Sequence, residues 1–316
     1  MIQLTRRHFG ALAAATLTAN LTRSLWAREA VADPSGRRFY FSLITDTHII
    51  DEFYVKGSEN GVEDNESILH TSERLTITRD LINSLEPRVE KVFVLGDYFH
   101  NYPSTDYDFY FKNRTRIDNA KAITDKFTMP VHLLFGNHDY DAHRVDREMS
   151  HRLFKAKLGA EPYSAVDYRG WKFICANNFL GTTWDRHSAD FHPGTGSLGE
   201  TQLQWLEAQL AERKPTFVFL HYPLLDVRDK EFKDFGLHPL LRKYQDTVRL
   251  VVTGHYHKWL DYAHTYGPQH YVMAATRYDA NALMLMEVDT QTGEWRWVYR
   301  DLVEWSTHFA KPIRTA

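Results

Sequence analysis

The sequence predicts an α/β fold in a single domain, on three observations. Short apolar runs recur along the chain, segments of helical periodicity separate several of them, and no Pro/Ser-rich linker, low-complexity tract or internal repeat divides residues 37 to 300. With 316 residues and 43% hydrophobic content, the chain can bury one large core.

The predicted strands are Phe39 to Ile44, Val92 to Leu95, Val131 to Phe135, Phe173 to Ala176, Phe217 to Leu220, Leu250 to Val252, Ala282 to Val288 and Trp295 to Tyr299. Each is short and rich in aliphatic or aromatic residues, as strands buried on both faces are. Helical periodicity marks Glu66 to Leu85, Arg116 to Phe127, Arg147 to Leu158 and Glu200 to Arg213, the last with Leu203, Leu206 and Leu210 on one face. Asn177 to Gly199 carries Gly, His and Asp and reads as a loop, in which His187 and His192 are minor candidates for substrate contact. Trp295 and Trp297, two residues apart, read as strand-edge core.

Charge and cysteine content narrow the function. Lys and Arg number 38 against 41 Asp and Glu, giving −3, and removing the first 27 residues, which carry Arg6, Arg7 and Arg23 and no acid, leaves −6. An acidic surface repels phosphate backbones, so stable nucleic-acid binding is not expected. Cys175 is the only cysteine and sits in an apolar run, which excludes an intramolecular disulfide and predicts a buried, inert thiol.

The first thirty residues have their own pattern. Thr5-Arg6-Arg7-His8-Phe9 precedes a mildly apolar stretch from Gly10 to Leu21, too short for a bilayer span and of the length of a signal h-region. The arginine pair before Phe9 resembles a twin-arginine signal, which implies export of the folded protein by that machinery to the periplasm or beyond, with no permanent membrane anchor. Cleavage is expected after Ala27 or after Ala32, within a leader of residues 1–32, and the domain is expected over 37–305 with a C-terminal tail at 306–316.

Five polar clusters follow apolar runs directly: Asp46-Thr47-His48, Gly96-Asp97-Tyr98-Phe99-His100, Gly136-Asn137-His138-Asp139, His221-Tyr222-Pro223 and Gly254-His255-Tyr256-His257. In open α/β sheets the carboxyl ends of strands gather at one edge, so side chains spread over about 210 residues can converge there. Imidazole and carboxylate together suit Zn, Mn or Fe, whereas an all-oxygen set would suit Mg or Ca. Asp46 and His48, like His255 and His257, are two apart and on extended backbone would point the same way. Each cluster alone is weak, because D-x-H and H-x-H also arise by chance.

In this order, D-x-H, G-D-x-x-H, G-N-H-D, H-x-P and G-H-x-H resemble the calcineurin-like metallophosphoesterase superfamily, over Asp46 to His257. The resemblance implies a two-layer β-sandwich flanked by α-helices and two metal ions, Fe, Mn or Zn. It implies that Asp46, His48, Asp97 and His257 hold one ion, and Asp97, Asn137, His221 and His255 the other. Such a pair, roughly 3.5 to 4 Å apart, lowers the pKa of a shared water from about 15.7 toward 7 and makes hydroxide the nucleophile. His138 would face the leaving group, with Asp97 central to catalysis and His100 and Asp139 in supporting places.

Within the superfamily the position three after Asp97 separates branches. His100 stands where phosphoprotein phosphatases carry Asp and purple acid phosphatases carry Tyr, and Tyr98 should point away from the metals. The pattern is also similar to repair nucleases, where the corresponding His supports the catalytic one; loop packing is the alternative for His100. The aromatic run Tyr98, Phe99, Tyr102, Tyr107, Phe109, Tyr110 and Phe111 reads as loop packing or as a wall for a base. The expected function is therefore hydrolysis of a small phosphomonoester or phosphodiester outside the cytoplasm, a nucleotide, cyclic nucleotide or lipid-derived head group among the options. Nuclease action and a non-catalytic metal or phosphate sensor are the alternatives.

Overall fold

The computed structural model describes residues 36–298. The expected leader with both cleavage positions, the end of the domain at 305 and the tail from 306 lie outside the described residues. In chain order the strands are β1 (Arg38–Ile44), β2 (Val89–Val94), β3 (Val131–Leu133), β4 (Ser164–Tyr168), β5 (Trp171–Cys175), β6 (Thr216–Phe219), β7 (Val248–Thr253), β8 (Leu260–Ala263), β9 (Gln269–Val272), β10 (Met284–Asp289) and β11 (Trp295–Val298). The helices are α1 (Val62–Ile68), α2 (Thr71–Ser84), α3 (Phe109–Lys112), α4 (Arg116–Thr124), α5 (Arg147–Leu153), α6 (Glu200–Ala211) and α7 (Leu237–Lys243).

Two sheets stack face to face, one ordered β11-β10-β1-β2-β3 and the other β4-β5-β6-β7-β9-β8. β1, β2 and β3 run parallel, as do β5, β6, β7 and β9, while β10, β11, β4 and β8 pair antiparallel at the flanks. The period of two along each strand decides which side chain enters which layer. Phe39, Phe41 and Leu43 of β1 meet Phe173, Phe217 and Phe219 between the sheets. Tyr40 and Ile44 face the opposite way, into a core shared with helical residues such as Leu75 and Ile82. On the second sheet Val218 does the same, in one core with Leu203, Leu206 and Leu210 of α6. This is the sandwich with outer helices that the motifs imply.

Two predicted helices differ in detail, and three strands were not predicted. The expected helix over Glu66 to Leu85 is broken at Leu69 and His70, where the Ser67 carbonyl is taken by His70 N and by Arg74 Nη1 instead of continuing the α pattern. Arg147 to Leu158 is α-helical only to Leu153; the final turn widens to i→i+5 bonding and stops at Gly159, whose φ of 66° ends the helix. β4, β8 and β9 escaped the apolar-run criterion because polar residues interrupt them, Asp167 in β4, Asp261 in β8 and Gln269 and His270 in β9. Among the described residues no helix is long and apolar enough to cross a membrane.

Cys175 is buried between the sheets, and desolvation pushes its thiol up to about 12, so it is inert. Phe41 lies at the centre of the same layer, its ring 5.0 Å from that of Phe173 and 5.1 Å from that of Phe217. Phe41→Ala should cost about 3–5 kcal/mol in urea unfolding, through lost burial and an unfilled cavity between rigid sheets.

Candidate metal centre

The parallel strands of both sheets end at one edge, and the five polar clusters follow them there. Asp46 and His48 come after β1, Asp97 after β2, Asn137 and His138 after β3, His221 after β6, and His255 and His257 after β7. His257 Nε2 lies 3.2 Å from Asp46 Oδ1, and His48 Nε2 lies 3.5 Å from Asp97 Oδ2. His221 Nε2 lies 3.2 Å from Asp97 Oδ2 and 3.1 Å from Asn137 Oδ1. Beside a cluster of His48, His100 and His138, two sets of donor atoms within 4.8 Å contain carboxylates: Asp46, His48, Asp97 and His257, and Asp97, His221 and His255. Asp97 belongs to both.

Backbone conformation, not strand pleat, aims these side chains. Asp46, His48, Asp97, His255 and His257 all have φ between 45° and 71°, a left-handed region that costs non-glycine residues energy. The two-residue spacing thus works through tight turns, where extended backbone was expected. Hydrogen bonds hold those turns: Asp46 N to Gly96 O, His48 N to Asp97 O, and Arg277 N to Asp46 O. His138 N donates to Asp97 Oδ1 at 2.8 Å, and His255 N to Asp46 Oδ2 at 3.1 Å, so amides orient both carboxylates. The chains pass so close that a methyl at Gly136 would overlap the Asp97 carboxylate, and one at Gly254 would overlap Thr45 Oγ1.

The electrostatics match a cation site. Asp46 and Asp97 are fully buried, and their ion-pair partners among the described residues are imidazoles. Burial alone would raise their pKa, yet His221 and His138 beside Asp97, and His257 and His221 beside Asp46, hold both carboxyls below the ordinary range. Burial also opposes charge on His221, but the two carboxylates outweigh it and pull that imidazole up to about 9. His255 and His138 follow burial instead, down to about 3 and about 4, and remain neutral. Two ionised carboxylates, four imidazoles and an amide oxygen form a nitrogen and oxygen donor set that fits a pair of divalent ions of intermediate hardness, a site His221 joins by giving up its proton.

The supporting residues are only partly those expected. Asp139 accepts from the amides of Gly136, Tyr98 and Phe99, tying the second and third motif loops together, while burial and the nearby Asp97 push its pKa up to about 8. His100 stacks on His138 with ring centroids 4.6 Å apart, but its hydrogen bonds go to His48 and Glu59. The bond to His138 comes from Asn101, whose Oδ1 accepts from Nδ1–H at 2.9 Å. Asn101 adjoins a motif and has φ 55°, a conformation that Asn tolerates; Glu59, in a polar loop, gives no sequence signal. A buried ion pair, Arg116 with Asp51 at 2.7 Å, fixes this turn, since Arg116 also donates to the carbonyls of His100 and Asn101. Tyr98 points away, its hydroxyl on Thr124, and Tyr98, Phe99, Tyr102 and Tyr110 are all fully buried loop packing. His187 and His192 are loop residues bonded within their own segment, to Asp185 and Thr195.

A family model described as calcineurin-like phosphoesterase matches residues 40–259. The chain belongs to the calcineurin-like phosphoesterase family. A dimetal phosphatase from Danio rerio superposes with a TM-score of 0.56 at 18% identity, over 82% of this chain and 95% of that one. The calcineurin-like phosphoesterase YfkN from Bacillus subtilis gives 0.45 at 13% identity over 83% and 88% of the two chains. A purple acid phosphatase from yellow lupin gives 0.44 at 14% over 82% and 53%. Among curated protein sequences nothing matches. This phosphoesterase is a metal-dependent hydrolase of phosphoric esters.

Two outcomes follow for the phosphoesterase. Gly136→Ala should abolish uptake of metal, read by elemental analysis after dialysis, because the added methyl displaces Asp97. Away from the metals, desolvation lowers His132 and His151 to about 4 and His270 to about 3, so the unfolded chain binds more protons below the unfolded pKa near 6.5. Stability in urea should therefore rise with pH from about 4 to about 6.5 through these groups, and their contribution should be flat above that range.

Proposed function

We propose that the phosphoesterase acts outside the cytoplasm on a small phosphomonoester or phosphodiester, using two ions shared through Asp97. The observation that carries this reading is the convergence of six His and Asp donors on two adjacent sets with one carboxylate in common, with Asn137 Oδ1 beside His221 as a seventh. In this reading Asp46, His48, Asp97 and His257 hold the first ion, and Asp97, Asn137, His221 and His255 the second. Two divalent ions, when bound, supply Lewis acidity that polarises a phosphoryl oxygen and activates water near neutral pH.

The chain's own groups do the rest. The amide of His138 and the imidazoles fix Asp97 so that it can serve both sets at once. His221 is locked by its Nδ1–H donating to Leu95 O at 2.8 Å, which leaves Nε2 for the ion. Asn101 holds the proton of His138 on Nδ1, so Nε2 is the nitrogen that can exchange a proton with the leaving-group oxygen. The deficit of positive charge on the mature surface argues for a small substrate, captured at the metals, over a nucleic acid.

Export is supported by the Arg6-Arg7 pair and by the placement of the chain's entry. Gly36 leads into β1 at the end of the sandwich opposite the metals, so a leader can be removed there without touching the site. Cleavage after Ala27 or Ala32 would leave the proposed domain of 37–305 and tail of 306–316 intact. A periplasmic fraction from cells carrying the full gene should hold a mass beginning at one of those positions, and replacing Arg6 and Arg7 by Lys should leave the full chain in the cytoplasm.

The test of catalysis is turnover of a chromogenic phosphomonoester and a chromogenic phosphodiester by the chelator-treated chain, before and after Mn²⁺ is restored. Activity should vanish on chelation and return with metal, and His138→Ala should lower kcat by about 10²–10⁴-fold with metal content unchanged. Full turnover by the stripped protein, or by Asp97→Ala, would remove the assignment.

A further inference from the structure

We infer that Glu59 is a positioning residue for the first ion, acting on His48 through His100; this rests on the metal reading proposed above. Glu59 lies in the loop between β1 and α1, and one side-chain oxygen, Oε1, is 3.1 Å from His100 Nε2. The other, Oε2, accepts from Nη2 of the buried Arg277 at 2.8 Å. Arg277 is itself fixed by Ser67 Oγ and the Asp64 carbonyl, and Asn65 holds the Glu59 backbone through both its N–H and its carbonyl. The carboxylate is therefore held on His100 from several sides, although it belongs to no motif.

Its consequence follows from hydrogen-bond polarity. A carboxylate only accepts, so His100 carries its hydrogen on Nε2 and presents a bare Nδ1. That Nδ1 is 3.2 Å from Nδ1 of His48, which must then be the donor. With its hydrogen on Nδ1, His48 keeps a lone pair on Nε2, the atom 3.5 Å from Asp97 Oδ2 and 3.3 Å from His257 Nε2. The reverse polarity would put a hydrogen on Nε2, where a cation has to bind. The order carboxylate, imidazole, imidazole thus sets the ligand atom two rings away.

The second set is built differently. His221 has its tautomer fixed by the Leu95 carbonyl, a backbone group that no side-chain substitution removes. Dependence on Glu59 is accordingly confined to the first ion.

The experiment measures Mn²⁺ binding, not turnover, on the full chain after chelator treatment, by calorimetric titration against a competing chelator. Glu59→Leu should weaken the first ion by about 10- to 100-fold and leave the second unchanged. Because the effect passes through His100, the pair Glu59→Leu with His100→Ala should bind no more weakly than His100→Ala alone, and Arg277→Met should be mild. In the Zn²⁺-loaded protein, long-range ¹H–¹⁵N spectra should show His48 protonated on Nδ1. An unchanged affinity in Glu59→Leu, or a further loss in the double variant equal to that in the single, overturns the role of Glu59 alone. A wild-type chain that takes up no ion overturns both this role and the metal reading beneath it.

Discussion

The buried carboxylate of Asp97 is the constraint around which this molecule is arranged. It follows β2, between β1 and β3 in one sheet, yet it pairs with His221 from the other and accepts the amide of His138 from a third strand end. A charge so far from water is tolerable only when several partners face it, and each partner here belongs to a different segment. The sheets must stack in one register for those partners to arrive, and the aromatic layer of Phe41, Phe93, Phe173, Phe217 and Phe219 between them enforces it. Core packing and site chemistry are two aspects of a single geometric requirement.

Strain is concentrated where that requirement is met. Six residues of the site, the five candidate donors with positive φ and Asn101, occupy a conformation that costs of order 1–3 kcal/mol apiece in unfavourable cases. The surrounding hydrogen bonds over-determine each turn: Asp139 clamps two loops with one carboxylate, and the Arg116 pair with Asp51 clamps a third. Such turns bring Asp46 and His48, two residues apart, into one set of donors.

Much of this was legible in the sequence, for identifiable reasons. Runs such as Val92 to Leu95 and Phe217 to Leu220 are buried on both faces, so the strands that carry the ligands declare themselves, and the polar cluster after each marks the functional edge. β8 and β9 are four residues each and broken by Asp261, Gln269 and His270, so no apolar run marks them, and the break at His70 depends on Arg74 reaching a carbonyl. Within the site, the ligand residues stand in motifs but the conformation that aims them does not. Asn101, at φ 55°, takes the place of His100 as hydrogen-bond partner of His138, and Glu59 is invisible because its importance lies in whom it touches.

The passage from β9 to β10 carries the chain from the second sheet to the first, and it does so across the metal edge. There Thr276 N bonds to Thr45 O and Arg277 N to Asp46 O, with Arg277 then reaching Glu59. The strap that joins the two layers is thus stitched to Asp46 and its neighbours in the candidate metal site. Any sliding of one layer over the other would tug on Asp46 through its own carbonyl, so resistance to shear and fidelity of the cage are the same mechanical property.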